Sequence, residues 1–158
     1  MTDLHAPSSA PAPQGPVMAK LLGYAGALPF GGCALAGVLD IQLAGLQTAS
    51  LLLGYGAIIL SFLGGLQWGR IAACDEAAQS PSAPIWLIWS VIPSLVGWAG
   101  LFLPSGLAAI VLSACFLIAL IVDLKLIRAG VWAAWMYDLR LHLTAIAIAS
   151  LLSSLFWV

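Results

Sequence analysis

Charge is what this chain has least of. Only 7% of its 158 residues are charged, five Lys or Arg against six Asp or Glu, so it has no basic surface to attract a nucleic acid. Cysteine is scarce as well. Cys33, Cys74 and Cys115 are odd in number and show no C-x-x-C or Cys/His spacing, which excludes a disulfide framework and a zinc site. The two histidines, His5 and His142, supply no haem-type pair. Nor do the apolar runs contain a serine elbow, an H-E-x-x-H pair or a dinucleotide-binding glycine loop. No cofactor and no catalytic residue is implied, and the reading leans away from an enzyme.

What is present is apolar. Hydrophobic residues make up 63% of the chain and the mean hydropathy is +1.09, a composition that a water-soluble domain could not hide. Five apolar stretches, Val17 to Leu39, Thr48 to Ala72, Pro84 to Phe102, Gly106 to Ile127 and Leu139 to Val158, each approach the roughly 20 residues that cross hydrocarbon as a helix. Turn-like breaks separate them at Asp40, at Asp75 to Ala83, at Leu103 to Gly106 and at Ala129 to Asp138. The expected fold class is therefore all-α, a single bundle of five transmembrane helices over residues 17–158. Residues 1–16, rich in Pro, Ala and Ser, are expected to be a disordered tail. A signal peptide is the competing reading of the first stretch, since Ala34-Leu35-Ala36 resembles a cleavage site and Phe30-Gly31-Gly32-Cys33 a lipoprotein site. The long and weakly basic leader argues against both.

With five spans, Lys20, Arg70, Lys125, Arg128 and Arg140 all fall on the N-terminal side of the membrane. Under the positive-inside rule that side is cytoplasmic, so the N-terminus is expected in the cytoplasm and the C-terminus in the periplasm. The tail carries no arginine, which argues against a mitochondrial transit peptide and makes a bacterial inner membrane the simpler location. Trp68, Trp86, Trp89, Trp132 and Trp135 gather at the same boundary, as an interfacial belt does.

On the second span Ala57, Ser61, Gly65, Gly69 and Ala73 recur every four residues and form a stripe against which another backbone can pack, in the bundle or in a partner. Pro29 and Pro93 interrupt the first and third spans, each freeing a carbonyl and inviting a kink. Gln67, Trp68, Arg70, Asp123, Trp135, Arg140 and His142 form a candidate polar cluster at the basic side. Asp123 lies about one turn inside its span, where a carboxylate is costly unless paired, and Arg140, His142 and Arg70 are its candidate partners. The cluster reads as a structural ion pair or as a proton or ligand site in which His142 titrates.

Three segments carry a family resemblance: Leu22 to Phe30, Tyr55 to Gly69 and Trp135 to Thr144, together with Trp89 to Leu95 and Asp123. They resemble the transmembrane protein 69 family, which is domain of unknown function 3429. The resemblance implies a multi-pass membrane protein and stresses Gly64, Gly65, Gln67, Trp68, Gly69, Pro93, Asp123, Trp135, Arg140 and Thr144. It implies no activity and no catalytic residues.

The expectation that follows is a non-enzymatic accessory or assembly subunit, whose partners are the lipid bilayer, other inner-membrane proteins or a second copy, with no nucleic acid. A small homo-oligomeric transporter or channel is the alternative, and an intramembrane enzyme acting on a lipid or quinone through Asp123 and His142 is the third.

Overall fold

The computed structural model describes residues 14–42 and 45–157. Among them, five helices are long and apolar enough to cross a membrane. They are α1 (Gln14–Val38), α2 (Thr48–Ala73), α4 (Ala83–Gly100), α5 (Ser105–Arg128) and α6 (Met136–Ser153), with a short α3 (Asp75–Ala78) between α2 and α4. Helix is what the sequence demands here, because in hydrocarbon every backbone N–H and C=O must be paired within its own segment. A last turn of 3-10 helix, Ser154–Phe156, follows α6.

Helix ends extend past the apolar runs. α1 begins at Gln14, so residues 14–16 of the expected tail are helical, with Pro16 in the first turn where its missing N–H costs nothing. Most of that expected tail, with His5, lies outside the described residues. α6 starts at Met136, three residues before the expected span, and so includes Tyr137 and Asp138.

The breaks have local causes. Cys74 is extended (φ −137°, ψ 109°) and stops α2, after which Asp75 and Glu76 occupy the first turn of α3, where carboxylates complement the helix dipole. α5 ends in a Schellman turn: Gly130 adopts φ 73°, its N–H bonds Ile127 C=O at 3.0 Å, and Val131 N–H bonds Leu126 C=O at 2.9 Å. α1 ends in the same turn, but there Asp40 takes the left-handed position (φ 54°).

The five spanning helices pack in a ring in the order α1, α2, α4, α5, α6, which closes through α1 and α6, while α2 and α5 also meet across its middle. Gly23 lies beside Leu139 and Gly37 beside Trp157, so α1 and α6 run parallel. Gly64 lies beside Ser90 and Gly97 beside Ala57, so α2 and α4 run antiparallel. The apolar core joins Phe30 and Cys33 of α1, Leu52, Leu53 and Leu60 of α2, five residues of α5 including Leu112 and Phe116, and Ala147 and Leu151 of α6. α4 adds none of its own fully buried residues to that core. It is held instead by a close seam against α2, where Gly64 meets Ser90 and Gly97 meets Ala57.

Candidate functional site

The basic end of the bundle is where the costly side chains sit. The Schellman turn and the short connection to α6 fold the chain back, so that Asp123, just over a turn from the end of α5, and Arg140, at the second turn of α6, lie at one depth. Arg140 Nη2 donates to Asp123 Oδ2 in an ion pair whose side chains are 7% and 15% exposed. Each charge is expensive alone in such a place, and the pair is neutral as a unit. The guanidinium is incompletely used, since Arg140 Nε is buried with no hydrogen-bond partner among the described residues.

The other members of the expected cluster are elsewhere. Arg70 donates through Nε to Gln67 Oε1 at 3.1 Å and sits 6.0 Å from the Trp86 ring of α4, at the outer reach of a cation–π contact. His142 lies on the exposed side of α6, with Nδ1 2.9 Å from the Tyr24 hydroxyl of α1. Trp68 points outward, 56% exposed. The single polar cluster thus divides into three: Asp123 with Arg140 inside, Gln67 with Arg70 and Trp86 at the α2–α4 side, and His142 with Tyr24 on the outside. Trp135 takes the N-cap position of α6.

Beside the ion pair runs a cleft of about 510 Å3 between α1, α2 and α6. It extends from Ala19 and Trp135 near the basic end to Phe30 and Phe116 near mid-membrane, and its mouth is edged by the exposed Leu22 and Phe62. Apart from Trp135 at one end, Arg140 and Thr144 are the polar side chains on its wall. Thr144 is buried against this wall. At the α1 wall, Pro29 lacks the N–H that would meet Ala25 C=O, and Tyr55 O–H donates to the adjacent Gly26 C=O at 2.7 Å. Helix α1 runs unbroken through Pro29, and α4 through the buried Pro93. No group of three or more His, Cys, Asp or Glu that could hold a metal ion occurs among the described residues.

A family model described as "Protein of unknown function (DUF3429)" matches residues 15–156, from the first turn of α1 to the end of the last helical turn. The chain belongs to the DUF3429 family. Transmembrane protein 69 of Xenopus tropicalis is 36% identical over 160 residues, covering 97% of this chain and 57% of the frog protein. The DUF3429 chain therefore spans little more than half the length of that relative. No solved structure matches it. It is a multi-pass membrane protein.

The positions that carry the DUF3429 resemblance separate by the side of the helix they occupy. Gly64, Gln67, Pro93, Arg140 and Thr144 are buried, and Asp123 is nearly so. Gly65, Trp68 and Gly69 face outward. Only the first part of the small-residue stripe, Ala57 and Ser61, meets α4; the rest of it lies outside the seam. A Cβ built on Gly65 or Gly69 meets nothing within 4 Å, Ser61 and Ala73 are exposed, and only Ala57 of the five is buried. The buried face of α2 carries Gly56, Leu60, Gly64, Gln67 and Ile71; Gly56 lies beside Leu112 and Leu151 of α5 and α6, while Gly64 and Ala57 meet α4. A Cβ at Gly64 would collide with Ser90 C=O, and one at Gly97 would lie 3.1 Å from Ala57 Cα. Ser61 and Ser94 hydroxyls, 3.0 Å apart, bridge the edge of the seam. Sequence reasoning did not single out Gly97 or the hydrogen bond of Tyr55, and drew the stripe through Gly65, whereas it is Gly64 that meets α4. The burial of Gln67 was the available signal, because a polar side chain inside a span points inward.

Proposed function

We propose that this protein is a non-catalytic accessory component of its membrane, which works by binding a partner membrane protein within the bilayer. The observation that carries this reading is the outward stripe of α2. Gly65, Gly69 and Ala73 are left open by the chain's own packing, although small residues at four-residue spacing are what allow two helices to approach closely in lipid, where no hydrophobic force drives association. A helix whose only task was to face lipid would have larger side chains there, as α4 has with Ile85, Ile88 and Leu95.

The proposed setting is a bacterial inner membrane, with the basic end in the cytoplasm. Lys20, Arg70, Lys125, Arg128 and Arg140 support that orientation, since all five lie toward one end of the ring. A reporter active only in the periplasm is expected to work when fused after Val158 or near Pro104, and to fail near Ala78 or Gly130.

The test of function is site-specific photo-crosslinking in native membranes from Gly65, with Ile88 as the lipid-facing comparison. A discrete protein adduct from Gly65 and none from Ile88 is the expected result. Lipid adducts alone from both positions would remove the reading, and an adduct of twice the chain's mass would make the partner a second copy.

A further inference from the structure

The cleft between α1, α2 and α6 has the chemistry of a binding site that the accessory role does not call on. Its volume of about 510 Å3 lies within the roughly 300–1,000 Å3 of small-molecule sites. Such sites combine an apolar wall with a few convergent polar groups, and here those groups are Arg140 and Thr144, one helical turn apart on α6. Arg140 is only 5% exposed, uses Nη2 on Asp123 and leaves Nε buried without a partner among the described residues, and Thr144, 3% exposed, adds a hydroxyl to the same wall. A buried donor left unmet is costly, so the site is incomplete as the protein alone presents it.

Three observations define the occupant. The mouth, edged by Leu22 and Phe62, opens sideways among lipid-facing residues, so the ligand arrives from the membrane and not from water. The wall from Gly26 to Leu66 and Leu143 is apolar, so the body of the ligand is apolar. The third is charge. Asp123 already neutralises Arg140, and an anionic headgroup would leave a net negative charge at low dielectric, whereas a neutral acceptor adds hydrogen bonds at no charge cost.

We infer that the cleft binds a neutral, membrane-dissolved molecule with a carbonyl oxygen at one end and an apolar body, the oxygen accepting from Arg140 and Thr144 and the body lying along α1 toward Phe30 and Phe116. A prenyl quinone and an acylglycerol share that chemistry. Neither needs the outward stripe of α2, so this inference stands or falls separately from the accessory role.

The experiment is native mass spectrometry of the full chain released from detergent, titrated with decylubiquinone, with dioctanoylglycerol and with oleate as the anionic comparison. A saturable one-to-one adduct with a neutral probe is expected, and the probe that binds tells the ring from the glyceride. Thr144→Val, which keeps the shape and removes the hydroxyl, is expected to weaken it by roughly three- to tenfold, the size of one lost hydrogen bond. Ala27→Phe, which fills the cleft from α1, is expected to abolish it, and Ile88→Val on the lipid face to leave it unchanged. Thermal unfolding of each variant confirms that it is folded. Absence of any neutral adduct, undiminished binding by both cleft variants, or oleate displacing both neutral probes would overturn the inference.

Discussion

Helix α2 has two packed sides built on opposite terms. Toward α4 it is closed, with Gly64 against the Ser90 carbonyl and Gly97 against Ala57, so that backbone meets backbone. Toward α1 and α6 it is open, with side chains standing apart around a cleft of about 510 Å3. The closed side is specified by the absence of side-chain atoms and tolerates no addition. The open side is held from its ends, by the Tyr55–Gly26 hydrogen bond and by the Asp123–Arg140 pair beyond its wall. In lipid, where burial of apolar surface gives little drive, such contrasts between close contact and polar tie decide which helices stay together.

The comparison breaks most visibly at the ion pair. Asp123→Ala leaves Arg140 as an uncompensated buried charge and is expected to cost about 3–5 kcal/mol, while the double variant Asp123→Leu, Arg140→Leu is expected to be milder than the sum of the single losses. Unfolding in mild denaturing detergent measures both, and additivity would mean that the two side chains do not depend on each other. Next comes Gly64→Ala, expected to cost about 3 kcal/mol because the added methyl meets a carbonyl that cannot swing aside. If the seam gave way without loss of thermal stability, the closed side would be no closer than the open one. Ala27→Leu, pointing into the cleft, is expected to be neutral or to stabilise by up to about 1 kcal/mol, as added volume does where space exists. A loss comparable to that at Gly64 would show the cleft to be filled in the folded chain. Smallest is Gly65→Leu, expected within about 0.5 kcal/mol of the parent because nothing lies against that position. Yields equal to the parent, alongside loss of the crosslinked partner, would separate stability from association at neighbouring glycines.

The number of spans was legible because bilayer thickness sets a length that composition alone can meet, and none of the five stretches is ambiguous on that scale. Their ends were less so. Hydropathy marks where hydrocarbon begins, whereas α1 and α6 continue as helix into the interface through Gln14 and through Tyr137 and Asp138. Which side of α2 turns inward stayed open for a physical reason: every side of a lipid-embedded helix is apolar, so a four-residue stripe can be drawn through either glycine of a doublet. For Asp123 the cost of a buried carboxylate pointed to pairing, but Arg70 and His142 satisfied the same criterion of depth. Only the turn at Gly130 and the register of α5 on α6 distinguish Arg140 from them.

The three cysteines end up in unequal places. Cys33 and Cys115 are each 8% exposed within the helix-packed core, while Cys74 sits partly exposed at the break between α2 and α3. A thiol reagent therefore has one ready target in the native sequence, at the end of the bundle that carries the arginines and lysines. A membrane-impermeant maleimide applied to sealed vesicles of known polarity would report which compartment that end faces, with no residue changed and no domain fused.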